Sequence, residues 1–193
     1  MPKVGMEPIR RKALIGAAIA EIGACGSLEV TVGKIARRAG VSSALAHHYF
    51  GGKDDLLLAA MRHLLVQLWQ QGCAGLREGE TPRQRLSNLV QASFTDAQFA
   101  PETISAWLSF YVRAQSSPQA ARLLNIYVRR LQSNLMFDLR QLMPVADVHG
   151  AARDIAALID GIYLRQALHA GEAREAVHSV ESFIDRLVGP YGS

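Results

Sequence analysis

Apolar residues recur along this chain at three- and four-residue intervals, and no stretch alternates with period two for long enough to form a strand. Between Glu7 and Ala24, Leu14, Ile15, Ala18 and Ile22 mark one helical face, and Gly26 stands where that helix must end. Thr31 has the character of an N-cap for a short second helix, Val32 to Ala39. Its Val32, Ile35, Ala36 and Ala39 share one face, and Lys34, Arg37 and Arg38 the other. Gly40 closes it. A third helix opens at Ser42 or Ser43 and ends near Phe50, before Gly51 and Gly52. At about eight residues, ~12 Å, it is too short to persist alone in water and must be held by its neighbours. A fourth opens on Lys53, Asp54 and Asp55, acids that suit a positive helix start, and runs to about Gly72. Five more are predicted, over about 82–99, 101–115, 118–143, 148–170 and 174–188. Pro82, Pro101 and Pro118 stand at first helical positions and Pro144 follows a stop. The expectation is an all-α protein of nine helices.

Composition narrows the setting. The 193 residues are 49% apolar and 20% charged, enough for one domain or for a small module joined to a larger one. No apolar run approaches the ~18 residues that cross a bilayer. The opening MPKVGMEPIRRKAL lacks the apolar region and small-residue cleavage site of a secretory signal, so a cytoplasmic protein is expected. Cys25 and Cys73 have no CxxC spacing and no further thiols beside them, and are expected to be buried as small apolar residues.

Charge distribution says more than net charge. Residues 1–53 carry eight Lys or Arg against three Glu, a balance of +5 out of a total of +4, which leaves −1 for the remainder. A basic first quarter points to a polyanion partner for that part alone. Thr31 to Phe50 is helix, glycine turn, helix, with Ala36 and Gly40 small enough for the two helices to approach closely. That is the spacing of a helix-turn-helix, whose second helix enters the major groove while the first crosses the DNA backbone.

His47 and His48 invite a metal or catalytic reading. Adjacent helical residues point about 100° apart, whereas helical zinc sites use a four-residue spacing. No nucleophile, base and orienting acid stand at plausible spacing, and no phosphate loop is present, so neither catalytic nor metal residues and no cofactor are expected.

The block IARRAGVSSALAHHYFGGKDDLL, with Leu14 and Ala18 before it, resembles the DNA-binding module of the TetR family of transcriptional repressors. The resemblance implies a DNA-binding domain over 8–68, its helix-turn-helix at 31–50, and a ligand-binding and dimerisation domain over 69–193. The stretches MPKVGMEPIRRKALI, AWLSFYV and ALIDGIYLR are further similar to the subgroup that represses the conversion of choline to glycine betaine. His47, where most family members carry Tyr, and Ala44, where many carry Gly, mark the subgroup and bear on which operator is read.

The resemblance places Thr31, Arg37, Ser42, Ser43, Leu45, His47, His48, Tyr49 and Lys53 at the DNA. Several have a second reading: Thr31 and one of the two serines as caps, either Leu45 or Ala46 as core, and Lys53 as a solvated lysine. Phe50 reads as core.

In the second half, Trp107, Phe110 and Tyr111 share one helix, Phe94 and Tyr163 are further aromatics, and Asp160 is an acid in an apolar stretch. Aromatic faces with a carboxylate suit a quaternary ammonium, although aromatics at helical spacing are more often core. The resemblance implies choline or betaine aldehyde as effector; another small cationic or hydrophobic effector, such as a drug or lipid, is the alternative. The stripes Ile155, Ile159, Ile162 and Val177, Val180, Ile184 on the last two helices are expected to pair with their symmetry mates in a homodimer. Double-stranded operator DNA, a second copy of the chain and a small effector are thus the expected partners.

Overall fold

A computed structural model describes residues 5–168 and 172–189, and every regular element among them is helical. The order is α1 (Met6–Cys25), α2 (Val32–Arg38), α3 (Ser43–Phe50), α4 (Lys53–Glu78), α5 (Pro82–Ser93), α6 (Asp96–Phe99), α7 (Pro101–Ala114), α8 (Pro118–Leu139), α9 (Val145–Gln166) and α10 (Ala173–Val188). None is long and apolar enough to cross a membrane.

Among the described residues ten helices replace the expected nine, because the segment 82–99 breaks. The Phe94 N–H bonds back to the Gln91 carbonyl at 3.1 Å, Thr95 is extended, and α6 starts afresh. The fourth helix also outruns its predicted stop near Gly72 by about a turn and a half. Gly72 and Gly75 are not terminators but places where α5 comes close. A Cβ at Gly72 would stand 3.2 Å from Leu89 Cδ1, and one at Gly75 would stand 3.0 Å from the Asn88 carbonyl oxygen. Asn88 Nδ2 donates to the Gly75 carbonyl at 2.8 Å, so missing side chains here let two helices hydrogen-bond. The eighth predicted helix, over 148–170, was expected to reach residue 170; its counterpart α9 ends at Gln166, and residues 169–171 lie outside the described part.

The chain forms two compact units. One comprises the residues up to Leu64 together with Pro101–Leu123; the other comprises Leu65–Ala100 and the residues from Leu124 onward. The contiguous division expected at 68/69 differs from this because α7 packs along α1 and so joins the N-terminal unit. Leu14, Ala18 and Ile22 of α1, Ile35 of α2, Leu56 and Met61 of α4, and Ile104 and Phe110 of α7 form its buried core. Arg113 and Asp54 close its surface with an ion pair at 3.0 Å.

In the second unit, α10 packs on α9 and α5. Leu86, Leu135, Ile155, Ile159, Val180 and Ile184 are fully buried there. Arg85 reaches the wholly buried Asp138, with Nε and Nη2 at 2.7 and 2.6 Å from the same carboxylate oxygen. Arg83 and Asp185 pair at 2.8 Å, and Ser87 donates to Glu181, tying α5 to α10.

Cys25 departs from expectation. It stands seven residues after the buried Ala18, on the side of the core stripe, but in the last turn of α1, where it is exposed; Cys73 is half-buried, and both are free.

Candidate nucleic-acid interface and effector site

The head is built from local signals. Thr31 Oγ1 accepts from the Lys34 N–H at 3.2 Å and starts α2. Ile35 and Ala36 bury one face of that helix and leave Lys34, Arg37 and Arg38 outside. Gly40, at φ +67°, makes the reversal that a side chain would strain, and the Val41 N–H bonds to the Ala36 carbonyl at 3.0 Å. Ser42 is the serine that caps, accepting from the Leu45 N–H at 3.2 Å. Ser43, one residue into α3, is exposed and makes no cap.

Along α3, Ala46 and Phe50 turn inward, which settles the ambiguity at 45 and 46: Ala46 is core and Leu45 is half-exposed. His47 and His48 are exposed and diverge as adjacent helical residues must. His47 Nδ1 lies 3.2 Å from the Gly51 carbonyl, at the helix end, and the His48 ring sits 5.5 Å from that of Tyr49. Lys53 opens α4, whose first backbone bond runs from the Leu56 N–H to the Gly52 carbonyl. Thr31, Arg37, Ser42, Ser43, Leu45, His47, His48, Tyr49 and Lys53, on α2, α3, their caps and the first residue of α4, are all exposed or half-exposed and lie within one compact unit. Arg38 differs from its neighbour Arg37: its Nε pairs with Glu21 Oε1 at 2.6 Å.

Sequence reasoning passed over Arg11. Its guanidinium donates to the Tyr49 carbonyl, 38 positions away, and lies 4.4 Å from the ring centroid of the next residue, Phe50, contacts that no local pattern announces.

The residues expected at an effector divide between the units. Trp107 and Phe110 are buried on α7, and Tyr111 is exposed beside them, all in the first. Phe94, Asp160 and Tyr163 belong to the second. There Phe94, Phe99 and Tyr163 pack as a three-ring cluster with centroids 5.5–5.8 Å apart, and the Tyr163 hydroxyl donates to the Ser93 carbonyl. Asp160 is half-buried on α9. A cavity of about 180 Å³ opens beside this cluster, lined by Phe99, Ile162, Gln166, Glu172, Glu175 and others.

The expected dimer stripes need correction. Ile155, Ile159, Val180 and Ile184 are completely buried within the protomer, where α10 packs on α9, and they have no surface left for a partner. Ile162 and Val177 are partly exposed. An apolar stripe records that a face is covered, and here the protomer covers it.

A capped helix, a glycine turn and a second short helix with an exposed polar face, set on a basic unit, define a helix-turn-helix DNA-binding regulator. Residues 14–60 match the family described as bacterial regulatory proteins, tetR family, and residues 82–189 the one described as BetI-type transcriptional repressor, C-terminal. The HTH-type transcriptional regulator BetI of Brucella suis is 54% identical over 186 residues, covering 95% of this chain and 94% of its own. That of Rhizobium meliloti is 55% identical over 168 residues, covering 87% and 83%. A putative transcriptional regulator from Pseudomonas aeruginosa has the same fold, with a TM-score of 0.82 at 27% identity over 94% of this chain and 91% of its own. A putative regulator from Saccharomonospora viridis, solved in complex with choline, aligns with a TM-score of 0.77 at 23% identity over 91% of this chain and 95% of its own. The chain belongs to the tetR family and, within it, to the BetI-type transcriptional repressors. These are DNA-binding regulators rather than enzymes, and the histidine pair on α3 falls within residues 14–60, the part that matches the tetR family.

Proposed function

We propose that the chain acts as a homodimer on operator DNA governing the choline-to-glycine-betaine genes, and that choline or betaine aldehyde is its effector. The observation that carries this reading is the match of the C-terminal 82–189 to the BetI-type family, since that part, and not the head, distinguishes effector classes within the fold. The choline found with the Saccharomonospora regulator supports it by analogy of fold alone. In this reading the exposed ends of α2, α3 and α4 meet the duplex. Arg37 and Lys53 take phosphates, and Ser43, His47, His48 and Tyr49 lie toward base edges or the backbone. Phe94, Trp107, Phe110, Tyr111, Asp160 and Tyr163 are the aromatic and acidic candidates for a quaternary ammonium. Dimerisation uses exposed residues of α9 and α10, with Ile162 and Val177 the members of the original stripes still available. Two heads on a near-palindrome raise the affinity that one short reading helix lacks. Effector acts by preferring one arrangement of the heads over another.

Two measurements test this. Titration calorimetry of the full chain with choline, betaine aldehyde and glucose should give heat with the first or second only, and that heat should fall on Trp107→Ala. Heat with neither, or heat undiminished in the variant, refutes the effector assignment. A gel shift with the triple variant Arg37→Ala, Tyr49→Ala, Lys53→Ala should show binding lost and the wild type's steep salt dependence gone; unchanged binding refutes the placement of the DNA face.

A further inference from the structure

The proposed reading helix α3 is held differently at its two ends. Ser42 caps the N-terminus. At the C-terminus the last carbonyls of a helix have no partner within it, and they carry the negative end of its dipole. The Gly51 N–H satisfies the His47 carbonyl at 2.7 Å, and the Tyr49 carbonyl accepts from Arg11 Nη1. The same guanidinium lies 4.4 Å from the centroid of the Phe50 ring, a side chain seated in the core of the unit. Glu7, one turn earlier on α1, stands 3.9 Å from Arg11 Nη1. One planar cation thus joins α1 to both a last-turn carbonyl, that of Tyr49, and the last core side chain of α3, Phe50. A guanidinium can donate and stack at once; an ammonium is a point charge without a plane to stack.

Arg10, Arg11 and Lys12 look alike in sequence, as a basic cluster suited to phosphates. Arg11 is folded onto the end of α3 with part of its side chain still exposed, and a side chain so engaged is a strut. We propose that Arg11 is a positioning residue for operator recognition. It fixes the inclination of α3, and thereby the aim of Ser43, His47, His48 and Tyr49, without touching the DNA. The proposal rests on α3 being the reading helix. Hydrogen bonds to base edges demand placement within about 0.5 Å and 10–20°, whereas non-specific attraction to phosphates tolerates a tilted helix. Loss of the strut should therefore weaken specific binding and spare non-specific binding.

The test uses the full chain, its Arg11→Met and Arg11→Lys variants, and two duplexes: the one wild type enriches from a randomised pool, and a scrambled duplex of the same composition. Affinities are measured over a series of KCl concentrations. Arg11→Met should lose ~10-fold or more on the enriched duplex, the range of one misplaced base contact, and less than ~2-fold on the scrambled one, with an unchanged slope of log K against log salt. Arg11→Lys, which keeps the charge, should fall between, and it supplies the same readout if the Met variant does not fold. Equal losses on both duplexes with a slope lower by ~1 would make Arg11 a phosphate contact and overturn the proposal. Undiminished binding by the folded variants would overturn it too. Unchanged binding of the enriched duplex by the Arg37, Tyr49, Lys53 triple variant would instead remove the reading role of α3 itself, whatever Arg11 does.

Discussion

Two glycines on one helix provide an internal comparison. Gly16 and Gly23 both lie inside α1, seven residues apart, and the same substitution by alanine should have opposite effects. At Gly16 a Cβ meets nothing within 4 Å. At Gly23 it would stand 2.5 Å from both Cα and Cβ of Glu102 and 2.7 Å from the Glu102 carbonyl oxygen. Carbon atoms pack at ~3.5–4.0 Å, so α7 must retreat by about 1 Å along the face that buries Ile104 and Phe110. Backbone atoms of α7 cannot rotate away. Alanine in a helix interior is favoured over glycine by ~0.5–1 kcal/mol, and Gly16→Ala should show that gain undiminished. Overpacking costs ~1–3 kcal/mol and opposes the same gain at Gly23, leaving a net loss of ~1–2 kcal/mol with the cost toward its upper end. For a chain of this size ~1 kcal/mol corresponds to ~2–4 °C, so thermal unfolding followed by circular dichroism should place the two variants on opposite sides of wild type, several degrees apart. Equal upward shifts would show that α7 does not lie against α1 as described, and would remove the packing that assigns Pro101–Leu123 to the N-terminal unit.

Further outcomes follow from single contacts. Arg85→Met leaves the buried Asp138 carboxylate without its cation and should cost ~3–5 kcal/mol in denaturant unfolding; pairing it with Asp138→Leu should restore most of that, and failure to do so would mean the pair is not the source of the loss. Ser42→Ala should cost ~1 kcal/mol through the lost cap, while Ser43→Ala should leave stability within ~0.5 kcal/mol, so equal losses would contradict the assignment of the cap. Burial, reinforced by Lys12, holds the His63 imidazole below its usual 6.5. The folded chain therefore binds fewer protons than the unfolded one, and stability should fall as pH drops below about 6.5 and level off below the folded-state value. His63→Gln should flatten that slope, and an unaltered slope would assign the pH dependence to other groups.

Much of the head was legible because its signals are local. Thr31 and a serine at 42 or 43 announce helix starts, Gly40 a reversal, and the three- and four-residue spacing of Val32, Ile35, Ala36 and Ala39 against Lys34, Arg37 and Arg38 an inside and an outside. Such features involve residues within one or two turns of each other, and the same physics acts on them before and after folding. Prolines at 82, 101 and 118 marked three further helix starts for the same reason.

What remained hidden depends on partners distant in sequence. Gly72 read as a stop, yet it and Gly75 are close approaches to α5, because a glycine missing a side chain looks the same whether the chain ends a helix or admits a neighbour. The stripes on α9 and α10 were rightly apolar, but periodicity says that a face is covered, not whether its cover is the same protomer or a second one; Ile155, Ile159, Val180 and Ile184 are covered from within. Arg11 could not be told from Arg10 or Lys12 by composition, since charge is a property of the residue and its target a property of the fold. Sequence alone thus determined most of the helix starts, the helix-turn-helix and the family, whose evidence is local pattern. Tertiary structure alone decided which of those residues stay exposed, which are covered by a neighbouring helix, and which basic side chain lies against the end of α3.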